Sequence, residues 1–412
     1  MSDVRAAVDY RPPLVATITV VGIGADGWDG LGAAARSALA DAEVVLGSTR
    51  QLALLPAAGA LHVAWPSPLL PAIEPLLAEH AGRRVCVLAS GDPMLFGLGG
   101  TLVRLLGAES LRVVPHPSSV SLACARLGWP VEDVDVVSLV GRPVESLLVL
   151  PNRRVLVLSA GADTPDRVAE LLRSRGFGPT PMTVLTELGG PGERRYDGAA
   201  ATWSAQAGAL NVIALDCRAA PGVTPLGRTP GLPDGAYDHD GQLTKREVRA
   251  VTLAALAPLP GQLLWDVGAG SGSVAIEWLR THPTCRAVAV ESRAERATRI
   301  SRNAAALGVP GLAVVHGRAP EALADLPRPD TVFVGGGVST DGVLAACWEA
   351  LGEGGRLVAN AVTLESEAVL TRWQAGVGGS LTRIEVSRAA PVGGFTGWKP
   401  MMPVTQWEVV RT

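Results

Sequence analysis

The sequence of 412 residues contains few cysteines and no long hydrophobic run. Its five cysteines are scattered without a C-x-x-C pair, which argues against a disulfide framework or a zinc site, and we expect them to be small core residues. No apolar stretch reaches the roughly 18 residues that a membrane span needs. Residues 14–23, the first strongly apolar stretch, run into a glycine turn, so we interpret them as a strand and not as a signal peptide. The composition favours a globular protein without a membrane partner, which we expect to be cytoplasmic.

Lysine is almost absent, since only Lys245 and Lys399 are lysines among the 36 basic residues. A GC-rich genome is a simpler explanation of this bias than a functional requirement. The net charge of −3 gives no bulk attraction to nucleic acid, and we expect no nucleic-acid partner.

Catalytic and metal-binding motifs built on histidine are also missing. The six histidines form neither a Ser-His-Asp elbow nor an H-E-x-x-H motif. Asp238, His239 and Asp240 are adjacent in sequence, and adjacent side chains do not easily converge on one ion. We therefore predict a polar turn before a helix at this point, and no metal site.

A proline- and glycine-rich stretch, residues 218–235, shows neither helical nor strand periodicity and is interpreted as a linker. It separates a first domain, residues 14–217, from a second, residues 236–412. Apolar runs of strand length alternate with helical patterns in both, which predicts an α/β fold for each and a doubly wound parallel sheet for the second. The predicted strands are residues 18–21, 44–46, 84–89, 111–114, 155–159, 183–185 and 212–215 in the first domain, and 263–267, 287–291, 313–316, 331–335 and 356–360 in the second.

The second domain contains the most informative motif, a glycine loop between a strand and a helix. Gly268, Gly270 and Gly272 allow a sharp turn, so that a ligand can lie against bare main chain at the helix N-terminus. Glu291 ends the following strand, where a carboxylate can accept both hydroxyls of a ribose. The spacing is G-x-G-x-G rather than the dinucleotide G-x-G-x-x-G, and the acidic Asp266 precedes it. This pattern indicates an S-adenosylmethionine site.

The first domain opens with a second glycine loop, in which Gly22, Gly24 and Gly27 literally form G-x-G-x-x-G. A dinucleotide site also needs an acidic residue at the end of the second strand, whereas Glu43 precedes that strand. An NAD-linked oxidoreductase is therefore only an alternative. Two further loops follow strands at residues 89–97 and 114–120, where strand ends line a crevice.

The loops of the first domain, Gly22–Gly24, Ser90-Gly91-Asp92-Pro93 and Pro115 to Val120, together with residues 137–142, resemble the tetrapyrrole methylase family of corrin biosynthesis. The second domain, from residues 243–245 through the glycine loop to residues 360–365 and 387–389, resembles the corrin methyltransferases with a Rossmann-like core. The resemblance covers nearly the whole chain outside the linker. It implies a two-lobed tetrapyrrole methylase fold followed by a class I S-adenosylmethionine methyltransferase fold.

The resemblance also implies a reaction and its partners. Two methyl groups would pass from S-adenosylmethionine to meso carbons of a tetrapyrrole substrate, and a ring acetate would lose carbon dioxide. The first domain would methylate carbon 5, and the second would methylate carbon 15 and decarboxylate. Both related families form oligomers, so a homo-oligomer, either a dimer or a tetramer, is expected by analogy.

Two cofactor sites per chain are implied by the same resemblance. The first lies in the cleft between the two lobes of the first domain, and the second lies on the glycine loop of the second domain. Two departures from the family pattern stand out: Ala25 and Asp26 replace a rigid proline turn, which we expect to survive, and Arg318 replaces an acidic residue near the adenine, which we expect to weaken binding without abolishing it. The expected cofactor-binding residues are Gly22, Gly24, Asp92, Ser118 and Ser119 in the first site, and Thr244, Asp266, Gly268, Gly270, Gly272, Glu291 and Arg318 in the second.

Methyl transfer by alignment of the donor and the acceptor needs no nucleophilic residue. Decarboxylation requires the carboxylates that are not lost to be held in place. Thr244 to Glu247 has the form of a capping box, which would begin a helix and place Lys245 in its first turn. Lys245 and Arg388 are candidate carboxylate anchors, although each is as readily an ordinary surface cation. Glu365 is the favoured proton donor, with Asp330 as another candidate. A non-catalytic tetrapyrrole carrier remains a second alternative.

Overall fold

The computed structural model describes residues 18–57 and 59–412, so residues 14–17 of the predicted first strand lie outside the described residues. The chain divides into two compact units. The first comprises residues up to Arg142 together with Pro151–Val223, and the second comprises Pro143–Leu150 with Thr224–Thr412. A short piece of the first half of the sequence therefore packs with the second unit.

The first lobe of the first unit is a five-stranded sheet in which every pairing is parallel, in the order β3-β2-β4-β1-β5. Parallel pairing places the carboxyl ends of the strands at one edge, which is where an α/β sheet builds its site. The strands are β1 (Ile18–Ile23), β2 (Val44–Gly47), β3 (Leu61–Ala64), β4 (Val85–Ser90) and β5 (Leu111–Val114).

The second lobe of the first unit is a mixed five-stranded sheet in the order β6-β7-β10-β8-β9. Only β6 and β7 are parallel in it, and the other pairings are antiparallel. Its strands are β6 (Val134–Ser138), β7 (Arg154–Leu158), β8 (Pro181–Thr186), β9 (Arg194–Ala199) and β10 (Asn211–Asp216). The two sheets give the expected two-lobed α/β architecture. The helices of the unit are α1 (Gly27–Gly30), α2 (Ala33–Ala40), α3 (Thr49–Leu52), α4 (Ile73–Glu79), α5 (Leu98–Leu106), α6 (Ser119–Leu127) and α7 (Thr164–Ser174).

The second unit is built on a seven-stranded sheet in the order β13-β12-β11-β14-β15-β19-β16, which confirms the doubly wound prediction. The first five strands of this order are parallel, and β19 runs antiparallel to both of its neighbours. A separate hairpin pairs β17 with β18. The strands are β11 (Leu263–Val267), β12 (Arg286–Glu291), β13 (Ala313–His316), β14 (Thr331–Val334), β15 (Arg356–Ala361), β16 (Ser380–Ile384), β17 (Ser387–Val392), β18 (Phe395–Pro400) and β19 (Val404–Val410).

Helices cover the sheet of the second unit. They bury apolar faces against two clusters of side chains that include Trp265, Trp278 and Trp407, each at most 2% exposed. The helices are α8 (Arg246–Leu256), α9 (Ser273–Thr281), α10 (Ala294–Ala306), α11 (Val343–Ala350) and α12 (Leu364–Val377). Short 3-10 turns in the two units lie at Leu70–Ala72, Ala108–Ser110, Val131–Asp133, Val144–Ser146, Ala200–Thr202, Asp234–Ala236 and Glu321–Leu323.

All five cysteines are buried and unbridged, as predicted for core residues. Burial raises the pKa of Cys86, Cys217 and Cys347 to about 12, which keeps these thiols protonated and unreactive. Within residues 18–57 and 59–412, no helix is long and apolar enough to cross a bilayer.

The proline- and glycine-rich stretch is hydrogen-bonded into the fold although it is neither helix nor strand over most of its length. Its beginning belongs to the first unit, where the amide of Ala220 donates to Gly176 O at 2.8 Å. Its later part belongs to the second unit, where the buried Arg280 donates to the carbonyls of Leu226 and Gly227 at 2.8 and 2.9 Å. The lack of periodicity in this stretch therefore does not mean a lack of fixed structure.

A buried ion pair holds the end of this stretch against α8 and α9. Arg249 and Glu277 are 0% and 2% exposed, and Arg249 Nε donates to Glu277 Oε1 at 2.6 Å. The same carboxylate accepts the amides of Gly231 and Leu232 at 2.6 and 3.0 Å and the hydroxyl of Tyr237 at 2.8 Å. Because each partner is hydrogen-bonded, the pair can be buried without leaving an unsatisfied charge.

Replacing Arg249 with methionine should destabilise the chain by about 3–5 kcal/mol, because the Glu277 carboxylate would stay buried without its cation. Denaturant unfolding of the full chain measures this loss. The matched control is Arg302→Met, which breaks the exposed pair between Arg302 and Asp238 and should change stability little. Equal effects of the two substitutions would contradict the role assigned to the buried pair.

Candidate functional site

The site of the second unit lies where the strand order of the sheet reverses. β11 pairs with β12 on one side and with β14 on the other, so a ligand crevice is expected at the carboxyl ends of β11 and β14. The loop after β11 contains the predicted glycines, and the loop after β14 contains Gly335, Gly336 and Gly337. The structure thus brings two glycine loops together, of which the sequence motif indicated only the first.

The two loops approach each other backbone to backbone. A Cβ atom on Gly268 would lie 2.7–2.8 Å from the main-chain atoms of Gly336, and Gly268 has a φ of +71°. A side chain at this position would therefore meet rigid backbone and would also strain its own conformation. Gly272, with a φ of +76°, begins α9.

Glu291 is positioned by the glycine loop that it faces. Its carboxylate is 4% exposed, and it accepts the amide of Gly270 at 2.9 Å and the amide of Arg293 at 3.0 Å. These bonds hold the carboxylate at the carboxyl end of β12, where the sequence predicted a ribose acceptor.

Asp266, on β11, contacts the helix that follows the glycine loop. It is 1% exposed, and its Oδ2 accepts the amide of Ala275 in the first turn of α9 at 3.0 Å. Its other oxygen, Oδ1, has no hydrogen-bond partner among the residues described. Burial raises the pKa of Asp266 from its ordinary value of 3.8 to about 7, and the nearby Glu291 carboxylate adds to the shift. Asp266 therefore holds the loop through α9, and its contact with a cofactor stays a prediction.

Two cavities meet at the glycine loop. The smaller one, of 390 Å³, is lined by Glu291, Arg318, the loop glycines Gly268 and Gly270, and residues from the loop after β14. The larger one, of 610 Å³, shares the walls Gln242, Gly268, Gly270 and Gly335 with it. A ligand in the smaller cavity therefore lies against the same main chain as a ligand in the larger one.

The larger cavity brings together three cations. Lys245 and Arg388, both predicted as anchors, line it, and so does Lys399 on β18. No lining residue of this cavity among those described is acidic. Thr244 also lines it, so the structure places this residue in the larger cavity and not in the smaller one. Lys399 was missed because it stands alone in sequence, in no motif.

The predicted capping box is wrong. The helix begins after Lys245, which is its N-cap residue, and no side chain caps it. The Glu247 carboxylate instead accepts a hydrogen bond from Arg388 Nη2 at 2.5 Å. The same guanidinium nitrogen also donates to Asp234 at 3.2 Å. An ion pair between residues distant in sequence has thus replaced the local cap, and the two carboxylates, with Glu247 first, raise the pKa of Arg388.

Neither of the two candidate proton donors lines these cavities. Glu365 is exposed in the first turn of α12, and hydrogen bonds from its own amide and from Thr363 lower its pKa, which favours the ionised form over the protonated form that a donor needs. Asp330 precedes β14 and accepts the amide of Leu263 at 2.7 Å. Both Asp330 and Leu263 are at the amino ends of their strands, so Asp330 is at the edge of the sheet opposite the glycine loop.

Asn360, at the end of β15, lines the larger cavity and is held in one orientation. Its amide nitrogen donates to Thr252 Oγ1 at 3.0 Å, and its oxygen accepts from Gln406 at 3.0 Å. In the sequence, Asn360 was noted only as part of a family motif. Its position at the carboxyl end of a strand could have indicated a role in the site.

The candidate site of the first unit forms where the loops after β1, β4 and β5 converge. A Cβ atom on Gly22 would collide with Gly91 O and lie 2.7 Å from the amide of His116. The structure therefore brings the three predicted loops together at one sheet edge. Ser118 caps α6 by accepting the amide of Ser121 at 3.0 Å, and Asp92 accepts the amide of Met94 at 2.9 Å. These contacts shape the loops, while Ser119 is the first residue of α6.

The altered turn in the first unit does survive, as predicted. The amide of Gly27 donates to Gly24 O at 3.3 Å, and Gly27 has a φ of +59°. Asp26, the second of the two residues that replace the proline turn, lies 3.2 Å from His116 Nε2 and so links the loops after β1 and β5. β2 ends on Gly47, and Ser48 then caps α3, so no carboxylate follows β2 as a dinucleotide site requires.

The Asp238 to Asp240 segment is a polar turn before α8, as predicted. Asp240 pairs with Arg296 at 2.8 Å and Asp238 with Arg302 at 3.1 Å, and the pairing with Arg296 lowers the pKa of Asp240. Within the described residues, no group of three histidines, cysteines or carboxylates could hold a metal.

The raised pKa of Asp266 predicts a pH-dependent stability. The folded chain binds this proton more tightly than the unfolded chain, so the contribution is complete below a pH of 3.8 and is lost as the pH rises to about 7. Asp266→Asn keeps an oxygen acceptor for Ala275 but does not titrate. Denaturant unfolding across that pH range measures the stability of the wild type relative to this variant. The relative stability of the wild type should fall as the pH rises, and a constant difference would contradict the prediction.

Comparison with known proteins follows this division into two units. Residues 17–203 match the family described as tetrapyrrole (corrin/porphyrin) methylases, and residues 235–411 match the precorrin methyltransferase domain. Two shorter relatives each match 43% of the chain: a probable cobalt-precorrin-6B C(15)-methyltransferase (decarboxylating) of Pyrobaculum calidifontis, 39% identical over 93% of its own length, and a cobalt-precorrin-7 C(5)-methyltransferase of Salmonella typhimurium, 34% identical over 88% of its length.

Several relatives match along nearly the whole chain. The precorrin-6Y C(5,15)-methyltransferase (decarboxylating) of a Sinorhizobium species is 51% identical over 413 aligned residues, which cover 99% of both chains. With both domain families matched in the same order, the protein is a methyltransferase and belongs to the family of precorrin-6Y C(5,15)-methyltransferases (decarboxylating).

Proposed function

We propose that the chain methylates precorrin-6Y at carbons 5 and 15 with S-adenosylmethionine and removes the acetate carboxyl of ring C, giving precorrin-8X in cobalamin biosynthesis. The observation that carries this proposal is the pair of cavities that share the glycine loop of the second unit. One has the carboxylate that a nucleoside needs, and the other has the size and the cations that a polycarboxylate macrocycle needs.

The smaller cavity fits the cofactor on two independent grounds. Gly268 leaves bare main chain where a Cβ atom has no room, and Glu291 is held as an acceptor by the amides of Gly270 and Arg293. Arg318, which also lines this cavity, offers a cation in place of an acidic partner for the adenine. When bound, S-adenosylmethionine supplies an electrophilic methyl group. The first unit would hold a second cofactor on Gly22, Gly24, the Asp92 loop and the start of α6.

The two methylations are divided between the two units. Relatives named for a C(5) and for a C(15) activity each match less than half of the chain, which supports two separable activities. We assign carbon 5 to the first domain, residues 14–217, and carbon 15 with decarboxylation to the second domain, residues 236–412, with residues 218–235 between them.

The residues of the second unit would act by holding the macrocycle, not by attacking it. A meso carbon between pyrrolic rings is electron-rich, so alignment of the two reactants supplies most of the acceleration, up to about 7–11 kcal/mol at its best. In the decarboxylation, the carbon–carbon bond to the carboxylate breaks, its electron pair enters the conjugated ring, and the methylene carbon takes up a proton. Lys245 would hold a carboxylate that remains, while the anchor role of Arg388 and the donor role of Glu365 stay predictions.

The proposal includes a cytoplasmic homo-oligomer, either a dimer or a tetramer. Support for association comes from the β17–β18 hairpin, where Phe395 and Trp398 are 85% and 77% exposed. Large exposed apolar side chains on one hairpin are typical of contact surfaces.

The direct test is turnover of precorrin-6Y by the full chain with methyl-labelled S-adenosylmethionine. We expect two labelled methyl groups in the product, one on carbon 5 and one on carbon 15, and release of one carbon dioxide per macrocycle. A pigment carrier would bind the macrocycle and leave the methyl donor unconsumed, which would contradict the proposal.

Gly268→Ala separates the two activities. Its Cβ would meet the backbone of Gly336, so methylation of carbon 15 and release of carbon dioxide should fall at least about tenfold, because near-attack geometry is lost. Gly311→Ala is the matched control, because a Cβ there meets no atom within 4 Å. If labelling of carbon 15 persists in Gly268→Ala, the second unit does not carry that step.

A further inference from the structure

The two lysines of the chain, distant in sequence, meet in one cavity. Lys245 stands at the start of α8 and Lys399 on β18, and both line the 610 Å³ cavity. Among residues 18–57 and 59–412, neither lysine forms an ion pair, whereas arginines supply the cation in nearly all of the pairs found there. The rare residue type is thus concentrated at one site, and its charges are left uncompensated.

The hairpin that carries Lys399 places two cations side by side. Arg388 and Lys399 are direct cross-strand partners in the β17–β18 register, so their side chains project from the same face. Like charges in this arrangement repel each other. Arg388 is compensated by Glu247 at 2.5 Å and Asp234 at 3.2 Å, and Lys399 is not. An anion that enters the cavity would relieve the repulsion at Lys399.

The rest of the cavity wall is mainly apolar and offers no competing carboxylate among the described residues. Val248, Phe333, Val362 and Met402 are among the apolar residues that line it. A wall of this kind fits a flat, largely apolar ligand that carries carboxylates at its periphery.

We propose that Lys245 and Lys399 are the carboxylate-binding residues of the second unit, and that Arg388, already neutralised, is not the principal anchor. The inference rests on the proposed function, since it assigns the macrocycle's peripheral carboxylates to these two ammonium groups. A lysine has a compact charge on a flexible stem, so it can follow a carboxylate while the ring changes shape, whereas an arginine fork fixes one geometry. This offers a physical reason for lysine at two positions of an arginine-rich chain.

The test uses the full chain and uroporphyrin, an aromatic tetrapyrrole with many carboxylates, in a titration that contains no methyl donor. Lys245→Met and Lys399→Met should each weaken uroporphyrin binding at the second unit about tenfold. This is the low end of the range for a hydrogen bond to a charged group, because both ammonium groups are partly exposed. Each should also reduce the salt dependence of that site, while affinity for S-adenosylhomocysteine stays unchanged.

Three further variants serve as comparisons for the two lysine variants. Arg372→Met removes an exposed charge on α12, outside the cavity lining, and should change nothing. Lys399→Arg should restore most of the salt dependence, and Arg388→Met should cost less affinity than either lysine variant. Unchanged affinity and salt dependence in both lysine variants, a larger loss at Arg388, or failure of the wild type to bind uroporphyrin would each overturn the inference. Because the titration contains no methyl donor, these outcomes are independent of whether precorrin-6Y is methylated.

Discussion

The close approach of two bare main-chain segments at the point where the strand order reverses determines the architecture of the second unit. Gly268 comes so close to the main chain of Gly336 that the loop after β11 could not carry a side chain at the contact. This lets one stretch of backbone serve as a wall of two cavities, one with Glu291 and the other with the lysines. A methyl donor and its acceptor must meet at such a shared wall, because transfer requires their reacting atoms to be in near contact.

The charges of the second unit fall into two classes with different consequences. The buried pair of Arg249 and Glu277 fixes the segment that contains Asp234, and Asp234 in turn binds Arg388 on the hairpin. These cations are neutralised within the fold, so they position backbone and side chains. Lys245 and Lys399 have no such partners among the described residues, and their charge is available to a ligand. The free charges are therefore presented by elements that the paired charges hold in place.

Much of the fold could be predicted because buried parallel strands are continuous apolar runs. Residues 263–267 and 313–316 have the predicted bounds, and the glycine spacing located the crevice. β3 and β9 were missed because they are edge strands with mostly exposed residues, and such strands lack that pattern. Tertiary contacts account for two further differences: Arg388 draws Glu247 away from the helix cap, and the hairpin brings Lys399 to Lys245 across more than a hundred residues of sequence.

The central claim is that one chain contains two cofactor crevices, one in each unit. Calorimetric titration of the full chain with S-adenosylhomocysteine tests it most directly, because the stoichiometry requires no knowledge of the macrocycle. Two molecules bound per chain are predicted, with Gly268→Ala removing one and leaving the other. A single molecule per chain would contradict the account and would show that one of the two glycine loops serves a different purpose.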